Sequence, residues 1–329
     1  MTLRTAPPTL AEVQAPISDR LDMVIEELRR VVAADFPAIG EVNEYLLKIR
    51  GKLFRPGLLL LANQVGDRPD RAAETLAAVI ELVHLATLVH DDAVDHSVLR
   101  RGKPTVNSLW SHQVAIIMGD YFYSRSITEV SRLGLMEPIR VIAAAANAMT
   151  VGEMRQLASH DALDFDEMDY ARLIESKTAS LISAACELGA LVGEPAYREP
   201  LARFGRDLGM AFQIADDLLD YTSDPAVTGK PSGLDLREHK VTLPLIAVLP
   251  LLSVAERDQV EAFFADPEPA DEAIARTVEL VRRHGGLEYA RSRALDYASR
   301  AEETLEPLPP GPALDALRAS ITYAVERRR

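Results

Sequence analysis

The chain has 329 residues, 48% of them hydrophobic, and a formal net charge of −14, which argues against nucleic acids and anionic membrane surfaces as partners. Its single cysteine, Cys186, excludes a disulfide framework within the chain and suits a reducing cytoplasm. The sequence has no run of about eighteen apolar residues and no N-terminal signal pattern, so we expect neither a transmembrane helix nor a cleaved leader.

The beginning of the chain predicts a short arm followed by helices. Residues 1–17 contain three prolines and few large apolar side chains, so we predict a flexible N-terminal arm. From residue 18 the apolar residues follow the helical period, as in Leu21, Val24, Leu28 and Val31. No later segment reads as a series of alternating strands. We therefore expect one all-α domain, a helical bundle, over residues 18–329.

A basic segment, RGKLFRP, begins at Arg50 and precedes a leucine-rich helix. Gly51 permits a close backbone approach, and Pro56 suits the first turn of the helix. Lys52 and Arg55 are cations three residues apart, beside a helix N-terminus whose backbone N–H groups can bind an anion. The segment therefore predicts an anion site, with two ordinary solvated side chains as the alternative.

The segment 81–104 contains the first of two acidic clusters. An apolar helix ends there in three carboxylates on or beside one helix face, Asp91, Asp92 and Asp95. Like charges at that spacing destabilise a helix by about 0.2–0.5 kcal/mol per pair, so the cluster favours a counter-charge such as Mg²⁺. His84 lies two turns earlier on nearly the same face. Taken alone, the cluster is also typical of a solvated helix end.

A second acidic cluster, QIADDLLD at residues 213–220, repeats this spacing after another apolar helical run. Its carboxylates are Asp216, Asp217 and Asp220. If the two clusters face each other, unit charges about 4 Å apart repel by about 4 kcal/mol at an effective dielectric constant of 20. Bound metal with a polyanion would remove that repulsion, so the two clusters together predict a metal-bridged diphosphate.

Two further segments carry cations. A helix predicted over residues 170–191 contains Lys177 and Thr178 among apolar neighbours, where a lysine is also typical of a surface position that buries only its stem. The segment 224–244 is rich in proline and glycine and predicts a mobile loop that carries Lys230 and Lys240. Such a loop can close over a phosphate, or it can be a polar connector.

These motifs together resemble the all-trans isoprenyl (polyprenyl) diphosphate synthase family, over nearly the whole chain after the arm. The resemblance rests on RGKLFRP, DDAVD with RRGKP after it, GDYFYSR, ESKTASL, FQIADDLLD and GKPSGLDLREHKVTLPL, in that order. It implies a bundle of the isoprenoid synthase type around a central hydrophobic tunnel. It also implies a homodimer that condenses isopentenyl diphosphate with an allylic diphosphate in a Mg²⁺-dependent reaction.

The resemblance also implies a role for each motif residue. The diphosphate of isopentenyl diphosphate would be bound by Lys52, Arg55, His84 and Arg101. About three Mg²⁺ ions would be bound by the acidic clusters, Asp91, Asp92, Asp95, Asp216, Asp217 and Asp220. The allylic diphosphate would be neutralised by Arg100, Lys177, Lys230 and Lys240. The reacting end would be lined by Lys177, Thr178 and Gln213, where oxygen dipoles can stabilise a carbocation.

Two positions depart from the family pattern, because Arg50 and His239 stand where the family commonly has glycine. Both lie on predicted loops. We expect changed loop geometry and retained activity, since neither change removes a cation or a carboxylate.

Product length is predicted from Thr87 and Ala86, four and five residues before Asp91 and about 6–7.5 Å deeper along the helix. The resemblance makes this position the floor beneath the growing chain, where aromatic side chains stop elongation. Both side chains are small, so we predict an open tunnel and a product beyond twenty carbons, as for a quinone side chain. Alternatively, the next helix supplies a floor with Tyr121, Phe122 or Tyr123, and the product is farnesyl or geranylgeranyl diphosphate.

Three other functions compete with this one. A terpene cyclase shares the fold and one acidic motif but needs no isopentenyl diphosphate site, so Lys52, Arg55 and His84 argue against it. A non-catalytic subunit of a two-chain synthase typically loses its acidic motifs, and both are intact here. A helical scaffold or a calcium-binding module predicts no Mg²⁺-dependent binding of a diphosphate.

Overall fold

The chain folds into a bundle of α-helices, as the sequence predicts. The structure is a computed structural model, and it describes residues 7–49, 51–66, 69–158, 162–222 and 233–326. The first half contains α1 (Leu10–Gln14), α2 (Ser18–Val31), α3 (Pro37–Lys48), α4 (Phe54–Gln64), α5 (Ala72–Val94), α6 (Val106–Leu109), α7 (His112–Arg132) and α8 (Met136–Ala158). The second half contains α9 (Glu167–Ile174), α10 (Ser180–Leu191), α11 (Arg198–Thr222), α12 (Leu234–Arg237), α13 (Leu243–Val248), α14 (Val254–Ala265), α15 (Asp271–Arg283), α16 (Gly286–Thr304) and α17 (Pro312–Glu326).

Helix α5 forms the centre of the bundle and packs against α7, α4 and α2. From Ala73 to Val83, all its apolar residues are buried, on every side of the helix, which is typical of a helix inside a protein core. Among the described residues it is the only helix long and apolar enough to cross a membrane, and most of its apolar window is buried inside the bundle. The first acidic cluster lies at the C-terminal end of this helix, beyond its fully buried apolar segment.

The predicted flexible arm is wrong for residues 9–17. Thr9 caps α1 through its hydroxyl, and Glu12 returns a carboxylate to the Thr9 backbone N–H, 2.7 Å away. The helix then buries Val13, and the following 3₁₀ turn (Ala15–Ile17) buries Ile17. Gln14 also donates to the carbonyl oxygens of residues 52 and 53. The capping box and two apolar residues spaced four apart outweigh the prolines.

A two-stranded antiparallel hairpin, β1 (Leu99–Arg100) with β2 (Lys103–Pro104), follows α5. It was not predicted, because two-residue strands are too short to show the strand period. Its turn residues Arg101 and Gly102 have φ angles of 52° and 74°, as a two-residue type I′ turn requires. The hairpin places two consecutive arginines beside the end of α5.

A π-helical turn over Glu175–Ala179 separates α9 from α10, where the sequence predicts one continuous helix. Such turns insert an extra residue and are frequent at functional sites. Helix α11 packs closely on this turn, because a Cβ added at Gly209 would lie 2.6 Å from the Cα of Ala179. The contact brings the second acidic cluster next to Lys177 and Thr178.

We predict that Gly209→Ala lowers the free energy of unfolding by about 1–3 kcal/mol, because its methyl group would overlap the π-helical turn. Denaturant unfolding of the purified protein measures the change. Gly40→Ala is the matched control, since nothing lies within 4 Å of its added Cβ and it lies in α3. That substitution should stabilise the protein by about 0.5–1 kcal/mol. Equal stability of Gly209→Ala and the parent would contradict the close packing.

Candidate active site

Two cavities lie beside the C-terminal half of α5. The basic cavity, about 300 Å³, has Glu81, His84, Arg100 and Arg101 among its lining residues. The acidic cavity, about 570 Å³, has Asp95, Glu153, Lys177, Gln213, Asp217, Asp235 and Lys240 among its lining residues. Consecutive helix residues point about 100° apart, so α5 can direct neighbouring side chains towards different cavities.

The basic cavity concentrates positive charge. The pKa of Arg55 is lowered to about 10, chiefly by burial and also by nearby Arg101, while Glu81 opposes both effects. The Nε atom of Arg55 is buried and has no hydrogen-bond partner among the described residues. Burial, together with Arg55 and Arg101, also holds the pKa of His84 well below its usual range. His84 is therefore neutral, and the arginines around it have more positive charge than the nearby carboxylates balance. The cavity is suited to an anion for this reason.

Gly51 and Lys52 occupy different positions at this cavity. A Cβ added at Gly51 would lie 3.3 Å from Nη1 of Arg101, so glycine allows the guanidinium to pack against the backbone. The side chain of Lys52 is exposed and does not line the basic cavity. Of the predicted cluster, His84 and Arg101 line the basic cavity, Arg55 does not line it but is close enough to interact electrostatically with both, and Lys52 is exposed. Arg50 lies outside the described residues.

Asp92 differs from the other carboxylates of the first cluster. It is buried, lines the basic cavity and accepts a hydrogen bond from Nε of Arg100 at 2.7 Å. Arg100 therefore lies with Arg101 in the basic cavity and does not line the acidic one. The charges of Asp92 and Arg100 therefore balance each other on this side of α5.

The acidic cavity is lined by one carboxylate from each acidic cluster, Asp95 and Asp217. Asp95 lines it, and burial together with Glu153 raises the pKa of Asp91 to about 6, against the opposing charge of Lys177. Burial lowers the pKa of Lys240, but Glu238, Asp235 and Asp95 raise it above its usual value. Lys240 is thus within electrostatic range of carboxylates from both sides. That the two whole clusters face each other across this cavity stays a prediction.

The second cluster is held by a chain of hydrogen bonds. The hydroxyl of Thr178 donates to Oε1 of Gln213 at 2.7 Å, and Nε2 of Gln213 donates to Asp217 at 2.8 Å. Tyr170 donates to the other oxygen of Asp217 at 2.5 Å. Burial, then the charge of Asp235, raises the pKa of Asp217 to about 8. Thr178 and Gln213 therefore lie together in the cavity, as the resemblance implies.

Asp216 and Asp220 complete the second cluster. Asp216 is exposed, whereas Asp220 is half-buried and accepts the backbone N–H groups of Leu234 and Asp235 at 3.0 and 3.1 Å. These bonds anchor the start of α12 to the end of α11. Lys230 lies outside the described residues.

Sequence reasoning missed two acidic residues of this cavity. Burial and Asp220 raise the pKa of Asp235 to about 7, so it belongs electrostatically to the second cluster. Its only sequence signal is its place five residues before Lys240 in a segment already singled out. Glu153 contacts Nζ of Lys177 at 2.5 Å, and Gln156 accepts from the same atom at 2.8 Å. No spacing rule connects residues on separate helices.

The carboxylates fit divalent metal ions only with help from a ligand. Among the residues that the structure describes, no three acidic, histidine or cysteine side chains already converge into a complete metal site. Mg²⁺ commonly binds through one or two carboxylates and completes its shell with water and substrate phosphates. An acidic cavity with oxygen donors on two walls and lysines between them suits that mode.

Of the two predicted tunnel residues, Ala86 lies in the core and Thr87 is half-buried. Ala86 is buried, and Thr87 donates its hydroxyl to the carbonyl of His84 at 2.8 Å. Neither lines the basic or the acidic cavity. Phe122 is fully buried, while Tyr123 is partly exposed. The open tunnel stays a prediction.

The register of α5 against α7 shows which aromatic residues lie at the level of Ala86. Near one end of the pair, His90 lies over Gly119 and its Nε2 is 3.1 Å from the carbonyl of Ile116. Near the other end, α2 contacts α5 at Thr75 and α7 at Glu129. The two helices are therefore antiparallel, and Ala86 lies at the level of residues 121 and 122.

Comparison with known proteins decides the family. The family described as polyprenyl synthetase matches residues 36–281. The chain belongs to the polyprenyl synthetase family. It is thus an enzyme of the prenyl-transferring class.

Similarity to individual family members extends over nearly the whole chain. An all-trans-nonaprenyl-diphosphate synthase (geranyl-diphosphate specific) of Rhodobacter capsulatus is 35% identical over 96% of this chain and 97% of its own length. Heptaprenyl diphosphate synthase component 2 of Geobacillus stearothermophilus is 35% identical over 94% of this chain and 97% of its own length. The crystal structure of a polyprenyl synthase from Caulobacter crescentus CB15, complexed with calcium and isoprenyl diphosphate, has a TM-score of 0.92 and 31% identity, covering 99% of this chain and 100% of that one.

The raised pKa of Asp217 predicts that the free energy of unfolding of the metal-free polyprenyl synthetase falls as the pH rises. A carboxyl whose pKa is raised from 3.8 to about 8 on folding stabilises the protein below pH 4 and loses that contribution as the pH rises through 8. Asp217→Asn removes this titration. In EDTA, its melting temperature relative to the parent should therefore rise by a few degrees between pH 5 and pH 8.5.

The control for this experiment is Asp258→Asn, an exposed position on α14. Its melting temperature should follow that of the parent at both pH values. A constant difference between Asp217→Asn and the parent across the range would show that Asp217 is ionised throughout.

Proposed function

We propose that this chain condenses isopentenyl diphosphate head-to-tail with an allylic prenyl diphosphate, in a Mg²⁺-dependent reaction, to make a long-chain all-trans polyprenyl diphosphate. The observation that carries the proposal is the pair of unlike anion sites beside α5. One is lined by arginines and a neutral histidine, and the other by carboxylates, among them Asp95 and Asp217, together with two lysines. A terpene cyclase would need only the second.

The basic cavity is proposed to bind isopentenyl diphosphate. Arg55 and Arg101 provide the charge, and the buried Nε of Arg55 supplies a donor that has no partner among the described residues. A neutral His84 can donate one hydrogen bond without adding to the repulsion between the arginines. Lys52 is proposed as a further contact at the exposed edge.

The acidic cavity is proposed to bind the allylic diphosphate. About three Mg²⁺ ions, held by Asp91, Asp95, Asp216 and their neighbours, would supply the positive charge that weakens the allylic C–O bond. Lys177 and Lys240 neutralise the departing diphosphate. The hydroxyl of Thr178 and the carbonyl of Gln213 direct oxygen dipoles towards the allylic cation.

The carbon–carbon bond forms between the two cavities. The double bond of isopentenyl diphosphate attacks the allylic cation, one proton leaves to the departed diphosphate, and the product is five carbons longer. Apolar walls such as Phe165, Leu173 and Ile174 line the acidic cavity and exclude water that would otherwise quench the cation.

A product beyond twenty carbons is supported by the small side chains of Ala86 and Thr87 and by the names of two of the relatives, nonaprenyl and heptaprenyl diphosphate synthases. The competing short-chain function rests on Phe122, which lies at the level of Ala86 and is fully buried. The two differ in whether the growing chain passes this ring.

A homodimer is proposed from an exposed apolar surface on α7 and α8, two neighbouring helices. Ile117 and Met154 are both 61% exposed there, together with Ile116 and Val151. We infer that these side chains form one apolar patch, which is typical of protein interfaces. The Geobacillus relative is named as one component of a synthase, so a second, unlike chain is the alternative partner.

A cytoplasmic location is proposed from the single, buried Cys186. The catalytic domain is proposed to cover residues 18–329.

The catalytic proposal predicts that Asp91→Ala and Asp216→Ala each reduce turnover by about a hundredfold or more, because either change removes a carboxylate from one side of the diphosphate. Incorporation of labelled isopentenyl diphosphate into longer prenyl diphosphates measures turnover. Asp258→Ala, on exposed α14, should retain full activity. Full activity in either Asp91→Ala or Asp216→Ala, with unchanged helicity, would refute the assignment.

For product length, we predict chains well beyond twenty carbons when the protein is given Mg²⁺, isopentenyl diphosphate and each of three allylic primers. Products are sized after dephosphorylation. Phe122→Ala should leave their length unchanged if the tunnel is open beside Ala86. Products of fifteen or twenty carbons that lengthen in Phe122→Ala would instead establish Phe122 as the floor.

The dimer proposal predicts that Ile117→Lys shifts the protein from dimer to monomer in sedimentation velocity, because a lysine would be buried in the apolar interface. Val254→Lys, at a position that is 79% exposed on another helix, should leave the dimer intact. A monomeric parent protein would refute the dimer directly.

A further inference from the structure

His239 occupies a backbone position that favours glycine. Its φ is 55°, in the left-handed region that costs an L-residue energy relative to glycine. The N–H of His239 bonds to the carbonyl of Leu236 at 3.0 Å, and the N–H of Lys240 bonds to that of Asp235 at 2.8 Å. These two bonds form a Schellman motif at the end of α12, with His239 at the position where glycine is usual.

The side chain of His239 has specific partners on α14 that a glycine would lack. Its Nε2 lies 2.8 Å from the carbonyl oxygen of Asp266, which follows the last residue of α14. Because a carbonyl only accepts, this nitrogen carries the proton. The imidazole also lies 5.7 Å from the ring of Phe264, edge-on, and 6.1 Å from the buried ring of Phe263. The histidine therefore connects the turn to α14.

The same turn carries two charged groups of the acidic cavity. Asp235 and Lys240 are the first and last residues of the Schellman motif, and both line the cavity together with His239. Asp220 anchors the start of the turn through two backbone N–H groups. His239 anchors its end. With both ends attached, the ammonium group of Lys240 has a defined place before any ligand arrives.

We propose that His239 is a positioning residue that fixes the turn of residues 233–242 against α14 and so places Lys240 for the allylic diphosphate. The proposal rests on the proposed function for the identity of that ligand. The side chain of His239 reduces the conformational freedom of the turn. The energetic cost of placing a histidine there is the strain of its left-handed backbone. A preorganised turn binds its ligand more tightly than one that must first be ordered.

The first test needs no substrate. Amide hydrogen exchange in residues 233–242 should be faster in His239→Gly and in His239→Asn than in the parent. Glycine and asparagine both tolerate the left-handed backbone, but neither spans the distance to Asp266 and the two rings. Unchanged exchange in both variants would overturn the proposal, whatever reaction the protein catalyses.

The second test measures steady-state kinetics with Mg²⁺, isopentenyl diphosphate and an allylic primer. If the competent turn is populated about one tenth of the time in His239→Gly, the KM for the primer should rise about tenfold. The KM for isopentenyl diphosphate should not change, because the basic cavity lies on another face of α5. Equal increases for both substrates, or none for the primer, would overturn the positioning role.

His284→Ala is the matched control. Nε2 of His284 contacts Glu256 at 3.1 Å near the other end of α14, and His284 lines neither cavity. Its loss should leave both KM values unchanged. A primer KM that rises as much in His284→Ala as in His239→Gly would assign the effect to α14 as a whole and overturn the specific role of His239.

Discussion

The structure depends on carboxylates that are kept close together and away from water. Burial raises the pKa of Asp91 to about 6, of Asp235 to about 7 and of Asp217 to about 8. Without a ligand, the fold compensates with protons, with Tyr170 and Gln213 as donors, and with the nearby ammonium groups of Lys177 and Lys240. A site with this much stored repulsion gains free energy when cations and a polyanion replace the protons.

Helix α5 separates the acidic cavity from the basic cavity, where the charges that repel one another are positive. Beside the basic cavity, burial and the repulsion from Arg101 work against the charge of Arg55, so a bound anion would stabilise that charge directly. Asp92 and Arg100 neutralise each other on the same side of the helix. A single helix thus presents one carboxylate to an internal ion pair and the next turn's carboxylate to the acidic cavity.

The sequence predicted the parts of this arrangement that recur with a fixed spacing. Apolar periodicity identified the helices, and the two aspartate motifs identified the clusters. It could not show that Asp235 joins Asp217 or that Glu153 holds Lys177, because these contacts join separate elements whose approach is set by packing. The π-helical turn at Lys177 and the helix at Leu10–Gln14 were missed for a related reason. A single inserted residue or a short capped helix leaves almost no periodic signal.

His239 shows the same limit of sequence-based prediction at a residue that the sequence did single out. The resemblance marks it as a departure from glycine, but only the backbone angle and the contacts to α14 explain how the chain accommodates it. A substitution that looks unfavourable locally is compensated by a contact more than twenty residues away.

The most direct test of two unlike anion sites is equilibrium binding by isothermal titration, with and without Mg²⁺. Isopentenyl diphosphate should bind in EDTA, because the basic cavity provides its own cations. A non-hydrolysable allylic diphosphate should bind only when Mg²⁺ is present, because the acidic cavity repels it otherwise. An allylic diphosphate that binds equally well in EDTA, or isopentenyl diphosphate that requires the metal, would contradict the account.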